Sequence, residues 1–270
     1  MSTSSNDVTD TATTAPSAPA RRIALITGAN RGIGRATAVR LARDGFDLIV
    51  TYRSHREEAE EVVREIGALG RVAVALPLDV SRVDGFGAFV DGVRDALGKT
   101  WHRERFDVLI NNGGVQVAQP TLQATPAAFD QLVDVHFKGV FFLTQQLVPL
   151  IANPGAIVNI SSGTARFYVP ERAIYSAVKG AVEVLSRYLA TELGPRGITV
   201  NIIAPGAVAT DFSGGLLRSN EQLQKHIASI TPLGRFGVAE DIAGAIAALV
   251  SEGNRFVTGQ RIEVSGGVHL

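Results

Sequence analysis

The 270-residue chain carries 46% hydrophobic and 19% charged side chains, enough apolar material to bury one large core. Its 26 basic and 26 acidic residues cancel, and it has no cysteine. A broad polyanion-binding surface, a disulfide framework, a thiolate metal site and a thiol nucleophile are therefore excluded as explanations of its function. No apolar run reaches the roughly 20 residues of a membrane helix, and the start lacks the basic and apolar stretches of a secretion signal. The expectation is a soluble cytoplasmic protein with no nucleic-acid and no membrane partner.

Residues 1–20 are mostly Ser, Thr, Ala and Pro, too poor in apolar groups to repay ordering, and are expected to form a flexible tail before one domain at residues 21–270. Within that domain, strand-length apolar runs at residues 23–27, 48–52, 72–76 and 108–110 alternate with amphipathic stretches. The charged stretch at 56–68 predicts a helix, 81–100 is weakly helical, and 101–105 is a polar connection. A long helix is expected at 134–150, stopped by the turn signal Asn153, Pro154 and Gly155. A strand at 156–161, a helix at 172–193, a strand at 198–203, a helix at 239–250 and a strand at 260–264 complete the pattern. This alternation predicts an α/β single-domain Rossmann fold, a doubly wound, mostly parallel seven-stranded sheet flanked by helices. Residues 207–236, rich in glycine, serine and short helical patterns, are expected to cover the substrate.

The strongest local signal lies between the first strand and its helix, where Thr27 and Gly28 are followed by Ala29, Asn30, Arg31, Gly32, Ile33 and Gly34. Glycines let the backbone approach a pyrophosphate, and the free amides at a helix start receive its charge. A structural turn would use the same glycines. The second strand ends Tyr52-Arg53-Ser54, without the acidic residue that would hold the adenosine ribose of NAD. Arg31, Arg53 and Ser54 instead suit a 2′-phosphate, favouring NADP(H) over NAD(H); solvated surface arginines are the alternative. Asp79, after the third strand, could accept from the adenine amino group or merely cap a turn.

Ser162 ends the fifth strand, and Tyr175 and Lys179 stand one helical turn apart. A tyrosine beside an ammonium and a positive nicotinamide ring has its phenolate favoured. Tyr175 could then pass a proton to a carbonyl oxygen while Ser162 holds that oxygen. Alone, a Tyr and Lys at this spacing also make an ordinary packing pair.

With these motifs in order, the chain resembles the classical short-chain dehydrogenase/reductase family over residues 22–267, and within it the 3-oxoacyl-acyl carrier protein reductases. The glycine pattern spans Thr27 to Gly34, and the family's Asn-Asn-Ala-Gly matches Asn111, Asn112, Gly113 and Gly114. Its active serine matches Ser162, and its Tyr-x-x-x-Lys matches Tyr175 and Lys179. The resemblance implies cofactor contacts from Tyr52, Asp79, Val80, Asn112, Gly113 and Gly114, and from Tyr175 and Lys179. It also implies that Pro205, Gly206, Val208 and Thr210 hold the carboxamide side of nicotinamide. It implies a small carbonyl or alcohol substrate, no metal, and a homotetramer or a dimer. Two positions depart: Gly113 stands for alanine, and His136 for the asparagine that completes the family's catalytic tetrad. Histidine there could serve a water path and titrate near neutrality, or be a satisfied core residue. A regulatory dinucleotide-binding protein of the same fold is the competing reading.

Overall fold

The computed structural model describes residues 21–270, and the tail expected over residues 1–20 lies outside the described residues. Seven strands, β1 (Ile23–Ile26), β2 (Asp47–Tyr52), β3 (Ala73–Pro77), β4 (Phe106–Asn111), β5 (Ile151–Ile160), β6 (Ile198–Pro205) and β7 (Arg261–Val264), form one parallel sheet ordered β3-β2-β1-β4-β5-β6-β7. Strand order reverses between β1 and β4, which opens a crevice at their carboxyl ends.

Alternate side chains of each strand point to opposite faces, and both faces are covered. Ala24, Ile26, Leu48, Val50, Val108 and Ile110 join one apolar cluster with α1 (Gly32–Arg43), α2 (Arg56–Ala68) and residues of the later α9 (Ala239–Leu249). Ile23, Leu25, Ile49 and Leu109 join the other, with Phe86, Phe89 and Val93 of α3 (Phe86–Ala96) and with Leu143 and Leu147. Burial on both faces explains why the central strands read as unbroken apolar runs.

The helix expected at 134–150 begins eight residues earlier. Thr125 Oγ1 accepts from Ala128 N at 3.2 Å and Pro126 fills the first helical turn of α4 (Pro126–Val133), a start signal of the usual chemistry. The helix widens to a π-turn at Asp134–Lys138 and continues as α5 (Gly139–Leu147). The fifth strand starts at Ile151 rather than residue 156. Its register jumps from Phe106↔Ile151 to Val108↔Ala156, so Ala152 to Gly155 bulge out where a turn was expected. The sixth strand runs on to Pro205.

The connection expected at 101–105 is anchored. Trp101 closes a π-turn after α3 and donates its indole N–H to the fully buried Asp47 at 3.0 Å. Val72 N and the Arg71 guanidinium also engage that carboxylate, at 3.0 and 2.9 Å. Beyond β5 comes the 21-residue α6 (Ala173–Leu193), and residues 207–236 contain α7 (Leu216–Ser219) and α8 (Glu221–Ile230). Among the described residues, no helix is long and apolar enough to cross a membrane.

Candidate active site

The glycine loop is shaped by its neighbours. Gly28 and Gly32 adopt φ of +63° and +56°, which side chains beyond hydrogen disfavour. A Cβ at Gly34 would strike the Gly28 carbonyl and the Asn112 side chain. Asn112 Nδ2 donates to the Thr27 and Gly28 carbonyls at 2.9 and 3.1 Å, and Thr27 Oγ1 accepts from the Asn112 and Gly113 amides at 2.9 and 2.8 Å. Thr51 Oγ1 accepts from Gly28 N at 3.1 Å. Asn112 thus sets the loop's path from the next strand, and Thr51 is a supporting neighbour that the glycine pattern alone does not reveal.

A cleft of about 430 Å³ runs from this loop across the carboxyl ends of the strands. Gly28, Asn30, Arg31, Gly32 and Ile33 line one end, with Arg53, Ser54, Asp79 and Val80 from the β2 and β3 ends. Arg31 and Arg53 are in no ion pair among the described residues. Burial pushes the Asp79 carboxyl up, yet the Ser81 hydroxyl and amide hydrogen bonds, with Arg53 and Arg82 nearby, hold it below its usual value. Gly34 and Tyr52 do not line the cleft; Gly34 is packed under the loop, and the Tyr52 carbonyl accepts from Leu78 N at 2.8 Å. His55, which no motif singles out, does line it, in a left-handed conformation (φ +60°) with Nδ1 3.0 Å from Ser54 Oγ.

Asn112, Gly113 and Gly114 line the middle of the same cleft, and Pro205, Gly206, Val208 and Thr210 its far wall. Ser162, Tyr175, Lys179 and His136 all meet there. A buried polar chain seats α6 against the sheet. Asn111 Nδ2 donates to Thr144 Oγ1 at 3.0 Å and to Asn159 Oδ1 at 2.8 Å, and Asn159 Nδ2 donates to Ser186 Oγ at 2.8 Å. Ser162 Oγ accepts from the Thr164 amide and hydroxyl at 3.2 and 3.0 Å. Its own proton is therefore left to be donated elsewhere. Arg261 Nη2 donates to the Ser162 carbonyl at 3.3 Å, while its Nε meets Glu183 at 2.7 Å; Glu183 also accepts from Ser161 Oγ at 2.6 Å.

Lys179 Nζ donates to the Ile160 carbonyl at 2.6 Å and lies 5.6 Å from the centre of the Tyr175 ring. Burial pulls the Lys179 ammonium down to about 7. Burial also raises the Tyr175 phenol to about 12, with Ser162 and Arg172 opposing. The protein's own groups therefore hold the phenol protonated, because dehydrating the anion outweighs the opposing Ser162 and Arg172.

His136 sits in the π-turn between α4 and α5, 1% exposed. Burial, with Lys179 nearby, lowers its imidazole to about 3 against the Val115 hydrogen bond, which disfavours the alternative in which it titrates near neutrality. Its Nε2 lies 2.7 Å from the Val115 carbonyl and 3.3 Å from the Val115 amide. The shorter contact assigns the proton to Nε2, leaving Nδ1 as an acceptor without a partner among the described residues. Among those residues no three His, Asp or Glu side chains converge as a metal site.

The family described as enoyl-(acyl carrier protein) reductase matches residues 28–269. A Staphylococcus aureus 3-oxoacyl-[acyl-carrier-protein] reductase is 37% identical over 249 residues, covering 92% of this chain and 98% of the relative. Two solved structures are similar. One is a promiscuous reductase that catalyses keto-reduction at C1 during lugdunomycin biosynthesis (34% identity, TM-score 0.86, 91% of this chain and 96% of that one). The other is an angucycline C-6 ketoreductase with bound NADP (31% identity, TM-score 0.86, 91% and 95%).

The chain belongs to the short-chain dehydrogenase/reductase family.

As a short-chain dehydrogenase/reductase, it accommodates its two departures locally. A Cβ at Gly113 would come 3.3 Å from Thr27 Oγ1, so alanine could fit there with a slight adjustment. Gly114 has no such latitude: a Cβ would lie 2.7 Å from His136 Cε1. Glycine at 114 and histidine at 136 are therefore matched to each other.

Proposed function

We propose that this short-chain dehydrogenase/reductase transfers hydride between NADP(H) and a carbonyl carbon or secondary alcohol, with Tyr175 as general acid and base. The observation that carries this reading is the convergence of Ser162, Tyr175 and Lys179 in the cleft that begins at the glycine loop. The regulatory alternative gives no reason for that convergence.

The cleft fits a dinucleotide. The left-handed glycines and the close Gly34–Gly28 contact bring bare backbone to its surface, and the start of α1 offers amides to a pyrophosphate. Arg31, Arg53 and Ser54 suit a 2′-phosphate, Asp79 the adenine, and Lys179 the nicotinamide ribose. Pro205, Gly206, Val208 and Thr210 suit the carboxamide side. The similar ketoreductase solved with NADP supports the same preference. When bound, the reduced nicotinamide supplies hydride to the carbonyl carbon.

The chain's own residues handle the oxygen. Ser162, its lone pairs occupied by Thr164, donates a hydrogen bond to the carbonyl oxygen and keeps its proton. Tyr175, protonated in this environment, transfers the one proton the oxygen needs as negative charge develops. Lys179, near neutral balance, restores that proton through its free N–H positions. Phe212, Leu216, Leu217, Leu223 and Ile227 line the substrate end, which supports a ketone with an apolar body and a covering role for residues 207–236. Val184 and Tyr188 of α6 and Phe129 and Phe141 of α4 and α5 expose apolar surface, consistent with a cytoplasmic dimer or homotetramer joined through these helices.

A panel of ketones monitored by NADPH absorbance tests the activity. Tyr175→Phe should lower kcat by roughly 10²–10⁴-fold with NADPH affinity retained. A native protein that binds NADPH and oxidises it with no carbonyl in a broad panel overturns the reading.

A further inference from the structure

Three arginines, Arg166, Arg172 and Arg218, belong to the chain segments around the substrate end, and their environments differ. Arg166 forks Glu263 through Nε and Nη2 at 2.8 and 3.0 Å. Arg218 donates to Asp211 at 2.5 Å. Arg172 is the one of the three that lines the cleft, and its Nη1 is buried and makes no hydrogen bond among the described residues. A guanidinium cannot escape this situation by losing its proton, and a buried donor without an acceptor is costly to the fold.

The backbone holds Arg172 in this position. Glu171 adopts φ +63°, a left-handed conformation uncommon outside glycine, and its carbonyl accepts from the Gln119 amide at 3.1 Å. That strained residue, tied to the segment after β4, delivers the chain into α6 at Arg172. Strain of this kind persists where the surroundings enforce it, and such sites are often functional. Arg172 precedes Tyr175 by three residues, so the two share one side of the helix start, and its charge is felt at the Tyr175 phenol. The carboxylate nearest in the cleft wall at this end, Asp211, is already engaged by Arg218, and Asp79 at the other end is engaged by Ser81. One guanidinium with a buried Nη1 and no acceptor for it among the described residues therefore stands in the same cleft wall as Tyr175.

We propose that Arg172 binds a carboxylate of the substrate, so that the preferred substrates are oxo acids whose carbonyl lies at Tyr175 while the carboxylate pairs with the guanidinium fork. The planar, bidentate match of guanidinium to carboxylate makes this anion a better fit than a neutral carbonyl. The inference rests on the reading of Tyr175 as the proton donor.

The test uses the full chain with NADPH and matched six-carbon 2-oxo, 3-oxo and 4-oxo acids beside their methyl esters. At least one acid should exceed its ester in kcat/KM by roughly tenfold or more. Arg172→Gln, which also removes a charge felt at Tyr175, should remove that advantage by slowing the acid roughly tenfold more than the ester, and Arg172→Lys, which keeps charge but not the fork, should fall between. Calorimetry on the NADP-loaded protein gives a second readout, in which the corresponding hydroxy acid should bind Arg172→Gln roughly tenfold more weakly with no loss of thermal stability. Equal turnover of acids and esters, equal loss of both in the variant, or preference for a phosphonate ketone would overturn the carboxylate assignment and leave the oxidoreductase reading intact. If nothing is reduced and Tyr175→Phe matches the native protein, the oxidoreductase reading fails, and hydroxy-acid binding insensitive to Arg172→Gln then overturns this inference as well.

Discussion

His136 meets Tyr175 edge to face, their ring centres 5.2 Å apart and their planes at 90°. With its ionisation lowered to about 3, the imidazole is neutral across the working pH range and acts on the tyrosine through packing and dipole rather than charge. Native protein and His136→Asn should therefore give pH–rate profiles of the same shape between pH 5 and 8, whatever the change in kcat. An inflection in that window present only in the native protein would falsify the neutral assignment.

The contact between Gly114 and His136 predicts a coupled pair. Gly114→Ala alone should cost about 1–3 kcal/mol, because the buried ring has no room to move away from the new methyl. In a His136→Ala background the same change should cost far less, with a coupling energy of about 1–2 kcal/mol. Urea denaturation of the four proteins measures it, and additive costs would show that the ring can yield.

Lys179 ionises near 7 in the fold and at its ordinary value of 10.5 when solvated. Between those values the unfolded chain binds more protons than the folded one, so stability must rise with pH there. Relative to Lys179→Met, the native protein should become steadily more stable from pH 7 to pH 9 at fixed protein concentration. Tyr175 works in the opposite sense, but only above pH 10. A pH-independent difference between the two proteins would mean that the amine is solvated.

At the dinucleotide end, Arg53→Ala should raise the NADPH dissociation constant by roughly tenfold or more, the scale of one charge-assisted hydrogen bond. NADH binding should change little. Fluorescence titration with both nucleotides decides it, and equal weakening of the two would place Arg53 away from the 2′-phosphate.

Far from the cleft, Asp47 accepts from Trp101 and Val72 and pairs with Arg71 while fully buried. Asp47→Ala should destabilise the fold by about 3–5 kcal/mol, since it strands buried donors and an unpaired cation. Thermal or urea unfolding should show the loss, and a change under 1 kcal/mol would be inconsistent with this arrangement.

What the sequence made legible was local. The glycine loop and the Tyr175–Lys179 turn are short-range patterns whose periodicity survives folding, and β1, β2 and α9 fall close to their expected bounds. The early start of α4 was written in Thr125 and Pro126, a capping signal overshadowed by the stronger apolar stripe after residue 134. The start of β5 was hidden because a bulge and a turn use the same Asn-Pro-Gly residues. Pairing over long separations was the least accessible. Nothing near Arg166 announces Glu263 97 residues away, and nothing near Arg172 announces that its Nη1 is left without an acceptor among the described residues. The ionisation of Tyr175 and His136 depended on burial, which residue spacing does not report.

Arg261 of β7 reaches back to the carbonyl of Ser162 and, through Glu183, to Ser161, contacts spanning 99 and 78 residues of chain. During synthesis the glycine loop and α6 are complete long before this strand leaves the ribosome. The last tie on the Ser162 segment therefore forms only when β7 docks on β6, after the Ser161 contacts to Glu183 and to β6 can already be made.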